Sequence, residues 1–274
     1  MAGGALGAYL PDLPARDAGR HGSTNPLPYG IMARMDVLSA PERALAIMAH
    51  PDDVDFACGG TIATLIAAGT TVAYCIITDG DAGGFDATVP RSEIPGIRRR
   101  EQVAAGAVLG VADVRFLGYR DGRLAVSHEL RRDIARVIRQ VRPNLVISQS
   151  PERNYRRMYA SHPDHMAAGE AALQAVYPDS RNPFAHPELL QSEGLEAWYV
   201  DQVWIAGQEP FDHAVDIGDV FERKVAAIRA HESQVAHLSE LEQNMRGWAA
   251  GTAMAAGLPA ERLAEGYTVL DTRA

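Results

Sequence analysis

Four times between residues 44 and 176, a short run of apolar and β-branched residues gives way to a stretch of helical length. The runs are Ala44 to Ala49, Thr71 to Thr78, Asp113 to Leu117 and Leu145 to Ser148. The stretches after them are Val54 to Ala68, Ile97 to Leu109, Glu129 to Val141 and Asp164 to Val176. Gly69 and Gly110 close the first two, and Pro143 stops the third. Strands alternating with helices of this length predict βαβ units. The expected architecture is a Rossmann-like, mainly parallel α/β sheet with helices on both faces, three layers in all. Such sheets bind ligands beyond the carboxyl ends of their strands.

Those ends carry the reactive side chains. Ala49-His50-Pro51-Asp52-Asp53 follows the first strand, and Ser161-His162-Pro163-Asp164-His165 lies in a short loop beyond the fourth. Asp79 and the turn Tyr119-Arg120-Asp121 end the second and third. Pro51 makes the chain turn, so His50 and Asp53 can converge on one point with Asp52 beside it. Imidazole and carboxylate are zinc ligands at ~2.0–2.2 Å, and three of them leave a position open for water. Taken alone, Asp52 or Asp53 reads as a cap for the following helix. A second cluster downstream favours metal binding. Of His162 and His165, one can bind metal while the other reaches toward substrate. No G-x-S-x-G elbow, Walker loop or G-x-G-x-x-G is found after the first strand, which disfavours a serine hydrolase or a dinucleotide enzyme. Cys58-Gly59-Gly60-Thr61 falls inside the first helix and reads as tight helix–sheet packing.

Outside this core the pattern is looser. Residues 1 to 40 are rich in Gly, Ala and Pro and read as an extended segment dispensable for chemistry. The competing reading packs Tyr9, Leu10 and Pro28-Tyr29 on a neighbouring subunit of a homo-oligomer. After Asn182, strands are expected at Gln202 to Ala206 and Ala214 to Ile217, and a helix from Val220 to Val235. The tail, Ala236 to Ala274, is expected to be helical and then irregular. The net charge of −9, without a lysine-rich run, argues against a nucleic-acid partner. Two cysteines, Cys58 and Cys75, cannot staple a chain of this length and read as buried fillers. No apolar stretch reaches the ~18 residues of a membrane span, and no signal pattern opens the chain, so a cytoplasmic location is expected.

From Arg43 to Gln234 the chain resembles the PIG-L/LmbE-like family of zinc-dependent N-deacetylases. The likeness rests on His-Pro-Asp-Asp (50–53), Gly59-Gly60-Thr61, Thr78-Asp79-Gly80, and Arg98-x-x-Glu101 leading to Leu109-Gly110-Val111. It continues through Leu117 to Gly122, His-Pro-Asp-His (162–165), and Lys224 with Ala230-His231-Glu232-Ser233-Gln234. The resemblance implies one zinc per chain on His50, Asp53 and His165, with ferrous iron also suited to this donor set. It implies Asp52 as general base and His162 as an aid at the oxyanion or leaving group. It sets Arg98 and Asp121 near a small N-acetylated amino sugar or sugar conjugate, and residues 41–274 become the deacetylase domain. Two departures stand out. Val54 occupies a position where many members have Glu, with Asp55 as a stand-in. Ala160 replaces a mobile tyrosine of some mycothiol-type members, with Tyr159 nearest.

The remaining polar residues have humbler expected roles. Asp79 either contacts substrate or braces its loop. Arg98 is expected to face the cleft and grip a sugar hydroxyl or anionic group, and Glu101 to pair with an arginine. Arg153, Tyr155, Arg156 and Arg157 are candidates for shaping a substrate rim. His231 reads as a hydrogen-bonded core residue. The leading function is a metal-dependent deacetylase. An amidase for a thiol or antibiotic conjugate, or a noncatalytic sugar-binding protein, are the alternatives.

Overall fold

The computed structural model describes residues 40–155, 158, 161–208 and 210–273. The extended segment, apart from Ala40, and Arg156, Arg157, Tyr159 and Ala160 lie outside the described residues. The chain runs β1 (Arg43–Met48), α1 (Asp53–Ala67), β2 (Thr71–Thr78), α2 (Ile94–Leu109), β3 (Asp113–Tyr119) and α3 (His128–Val141). It continues through β4 (Leu145–Gln149), α4 (Pro163–Gln174), α5 (Pro187–Gln191), β5 (Gln202–Ala206) and β6 (His213–Asp216). Last come α6 (Phe221–Arg229), α7 (Glu232–Val235), α8 (Leu241–Ala255) and β7 (Ala264–Asp271).

Among the described residues the strands form one sheet in the order β3-β2-β1-β4-β5-β7-β6. β1 to β5 are parallel, and β7 runs antiparallel between β5 and β6. Side chains alternate along each strand, so the central strands bury apolar residues on both faces, under helices on each side. Leu45 and Ile47 meet Leu130, Ile134 and Ile138 of α3 and Ala168, Ala171 and Ala172 of α4. Ala46 and Met48 meet Ile62 of α1 and Ala105 and Leu109 of α2 on the other face. A smaller core under α6 and α8 joins Phe221, Val225, Leu241 and Met245. Ser127 caps α3 by accepting from the Leu130 N–H at 3.1 Å, and Gly110, at φ 93°, ends α2. The sequence of strands reverses direction between β1 and β4, and that switch point opens the crevice where the two histidine motifs meet.

Two expectations need correction. The tail is not irregular after its helix: Ala264–Asp271 is a full strand inside the sheet. Its second residue, Glu265, is buried because it accepts from the N–H groups of Gly60 (3.0 Å) and Thr61 (2.7 Å) and pairs with Lys224. Those N–H groups are available because α1 kinks at Cys58 (φ −145°, ψ 15°). The helix expected over 220–235 breaks at Ala230 and His231 into α6 and α7. The close packing read from Gly59-Gly60 is present, but against different neighbours. A Cβ on Gly60 would strike the side chain of Ile217, just after β6.

Candidate metal centre

At the end of β1 the Ala49 N–H donates to Gln149 Oε1 at the end of β4 (2.9 Å), which ties the two motif-bearing strands together. Pro51 then turns the chain, and Asp52 takes φ 99° and ψ −30°. For a residue with a Cβ this conformation costs on the order of 1–3 kcal/mol. The surroundings hold it there. Its N–H donates to Gln102 Oε1 (2.8 Å), and its carbonyl accepts from Asp55 and Phe56 (3.0 and 3.1 Å). The Asp52 side chain does not cap α1. It accepts instead from Arg98 Nη2 at 2.9 Å.

Three side chains converge above β1 and β4. His50 Nδ1 lies 3.2 Å from Asp53 Oδ2 and 3.2 Å from His165 Nε2, and His165 Nε2 lies 3.1 Å from Asp53 Oδ1. Ligands at ~2.0 Å from a tetrahedral zinc stand about 3.3 Å apart, and each of these three separations is close to that, the carboxylate meeting the two rings with different oxygens. The donor chemistry fits as well: two imidazoles and a carboxylate, all largely buried. His162 contributes a ring nitrogen to a looser group with His50 and His165, within 4.8 Å.

The electrostatics favour a cation. Burial alone would lower His50, but the Asp53 charge and hydrogen bonds to Asp121, Asp164 and Asp53 raise it well above an ordinary histidine. Burial would raise Asp53, yet His165 and His50 hold it well below the usual carboxylate range. Burial lifts Asp52 to about 6, against the pull of Arg98 and with help from the Asp53 charge. A divalent cation at the triangle would pull that value down again. Half-buried His162 is lowered by burial and by the charges of His50 and His165. Its Nδ1 accepts from the Asp164 N–H at 3.2 Å, so the neutral ring carries its hydrogen on Nε2.

The other expected site residues are placed less simply. Arg98 does not grip an open cleft. It is buried, and its guanidinium is taken up by Asp52, the Pro51 carbonyl and the Gly80 carbonyl. A Cβ on Gly80 or Gly83 would collide with it. Asp121 accepts from the Ala82 N–H and lies 3.2 Å from His50 Nε2, so it braces a candidate ligand. Asp79 pairs with Arg99 at 2.6 Å. It also lines a cleft of about 450 Å³ with Asp81, Arg91, Ser92, Gly118 and Arg120. One of its lining residues, Asp81, accepts from the N–H of Asp121 at 2.9 Å, which links the cleft to the residue that braces His50. Glu101 pairs not with an arginine but with the Ser233 N–H and hydroxyl, both at 2.7 Å.

Three contributors were not singled out for these roles. Asp164, a member of the second motif, lies 3.2 Å from His50 Nε2. Gln102 reaches Asp52, and Asp55 forms a fully buried pair with His231 at 2.8 Å. Asp55 therefore does not stand in for a glutamate beside the metal. Its carboxylate faces away, toward α2 and α7.

Residues 45–176 match the family described as PIG-L, GlcNAc-PI de-N-acetylase. The chain is similar to the diacetylchitobiose deacetylase of Thermococcus kodakarensis, 34% identical over 193 residues that cover 70% of each chain. It is 33% identical over 203 residues to a probable N-acetyl-alpha-D-glucosaminyl L-malate deacetylase 2 of Bacillus cereus, covering 72% of this chain and 85% of the relative. Among solved structures, the N,N'-diacetylchitobiose deacetylase of Pyrococcus horikoshii, complexed with an inhibitor, superposes with a TM-score of 0.77. It is 31% identical and covers 84% of each chain. Identity of 34% over 70% of each chain, on the same fold, assigns the chain: it belongs to the PIG-L family of deacetylases.

Proposed function

We propose that this protein hydrolyses the acetamide of an N-acetylglucosamine-type sugar or sugar conjugate. The observation that carries the reading is the triangle of His50 Nδ1, His165 Nε2 and the Asp53 carboxylate, with Asp52 held beside it. His50, Asp53 and His165 would hold one divalent metal, zinc by the character of the donors. When bound, such an ion supplies Lewis acidity, polarising a carbonyl and lowering the pKa of a water toward ~7. Asp52 takes the proton from the attacking water, with Arg98 fixing its carboxylate in place. His162, neutral and carrying its hydrogen on Nε2, donates a hydrogen bond toward the oxyanion, and the departing amine receives the proton that Asp52 took from the water. The cleft lined by Asp79, Asp81, Arg91 and Arg120 offers polar groups to the rest of the conjugate.

The relatives named above act on diacetylchitobiose and on an N-acetylglucosaminyl malate, which sets the test panel. Metal-replete protein is incubated with both compounds and an inositol conjugate of N-acetylglucosamine, and acetate release is measured. Acetate from at least one compound, lost on chelation and restored by zinc, is expected. Stoichiometric zinc with no acetate from any of them overturns the reading.

A further inference from the structure

We propose that Gln102 is a positioning residue for Asp52, its amide oriented by the buried pair Asp55–His231. The inference rests on the reading of Asp52 as the base. Gln102, Asp55 and His231 are fully buried, and Asp52 nearly so. Gln102 Oε1 accepts from the Asp52 N–H at 2.8 Å, while Gln102 Nε2 donates to Asp55 Oδ2 at 2.8 Å. The same Asp55 oxygen lies 2.8 Å from His231 Nε2.

A glutamine amide has a donor end and an acceptor end of nearly equal shape. Its direction is set by whichever partner accepts only one of them. The Asp55 carboxylate accepts and cannot donate, so it takes the NH₂ and turns the oxygen to Asp52. An inverted amide would set NH₂ against N–H in a dry pocket, and Asp55 would face an oxygen. His231 supplies the second donor that keeps Asp55 in place.

The relay grips the residue whose backbone is strained. Gln102 holds the N–H of Asp52, and Arg98, one helical turn earlier on α2, holds its carboxylate. Glu101 bolts this part of α2 to α7 through Ser233. The direction of the Asp52 carboxylate is thus decided by α2 and the α6–α7 junction. Within the relay, no hydrogen bond runs from Gln102 or His231 to the triangle of donors. Small displacements of a catalytic group lower turnover far more than binding. Loss of the relay should therefore appear in kcat and not in KM or metal content.

The test compares Gln102→Leu, Gln102→Glu and the double variant Gln102→Glu/Asp55→Asn. Gln102→Leu is expected to lower kcat by tenfold to a hundredfold, with KM within threefold and zinc stoichiometry unchanged. Hydrogen exchange at the Asp52 amide, followed by NMR in metal-free protein, should quicken at least tenfold. Gln102→Glu sets two carboxylates against each other and should be as slow. The added Asp55→Asn restores an amide–carboxylate pair with the donor on the other residue, and should recover at least tenfold in kcat. Folded Gln102→Leu protein with kcat within twofold of the parent overturns the proposal, as does a folded double variant no faster than Gln102→Glu. If Gln102→Leu does not fold, the comparison of Gln102→Glu with the double variant decides. A parent protein that releases no acetate defeats the deacetylase reading instead, and the Asp52 amide exchange rate still tests the relay.

Discussion

Asp164 sets a carboxylate oxygen 3.2 Å from His50 Nε2, the ring nitrogen turned away from Asp53 and His165. The same carboxylate accepts from the N–H groups of Gly122 (2.7 Å) and Leu124 (3.1 Å). It is therefore fixed by the loop after β3. A carboxylate so held draws the imidazole hydrogen to Nε2 and leaves the Nδ1 lone pair free for a metal.

Asp164→Asn should lower metal affinity by roughly 10- to 100-fold, as loss of such a partner typically does. Competition against a chelator of known affinity measures it. An unchanged dissociation constant would show that His50 is oriented without Asp164.

His165→Ala should remove stoichiometric metal, since two donors and a water make a poor tetrahedral site. Metal analysis after gel filtration reads the outcome. Wild-type occupancy would mean that another group, His162 among them, completes the site.

Asp52→Asn should keep the fold and the metal and lose roughly 10²–10⁴-fold in turnover, because an amide of the same shape cannot take a proton. Steady-state kinetics beside metal analysis gives the answer, and near-normal turnover at full occupancy rules Asp52 out as the base.

His162→Ala should reduce turnover while leaving metal content near one per chain. Its Nδ1 is engaged by the Asp164 N–H, so only the other nitrogen is available to substrate. Loss of metal in this variant with retention in His165→Ala would exchange the two roles.

Lys224→Met should destabilise the protein by about 3–5 kcal/mol, the usual consequence of leaving a buried charge without its partner. Lys224 and Glu265 are both buried, and Lys224 also donates to the Phe56 carbonyl. Chemical denaturation at neutral pH measures the change, and a difference below 1 kcal/mol would show that the two α1 N–H groups suffice to hold Glu265.

The candidate site divides into what short motifs reveal and what only packing reveals. The turn after a buried strand predicts that His50 and Asp53 gather, while the choice of His165 over His162 comes from the family resemblance, and the structure brings His165 to both. Asp164 sits in the same quartet as His165, yet a carboxylate at a helix start looks like a cap. Gln102 left no trace, because an uncharged polar residue on a helix gives no periodic signal, and its one clue is the four-residue spacing from Arg98. Arg98 was set facing substrate by the family resemblance. Its burial depends on space left by Gly80 and Gly83, which belong to another loop. The fold was legible from β1 to α4, where strands rich in apolar and β-branched residues alternate with stretches of helical length. β7 was not, because Glu265 and Gly266 contradict a strand unless Lys224 and the kinked α1 are already in place.

The hydrogen bonds from Gly60 and Thr61 to Glu265 span 205 and 204 residues of chain. The helix that begins at the candidate metal centre is therefore completed by one of the later segments to be synthesised. Contacts of such high sequence separation form slowly, because a long loop must close before they repay its entropy. A nascent chain halted before residue 264 would carry every candidate ligand and the base, yet leave the α1 kink without its acceptor and β6 without its neighbour. Competence for metal should thus arise after translation has passed β7, and chains released early are the ones most exposed to aggregation and proteolysis.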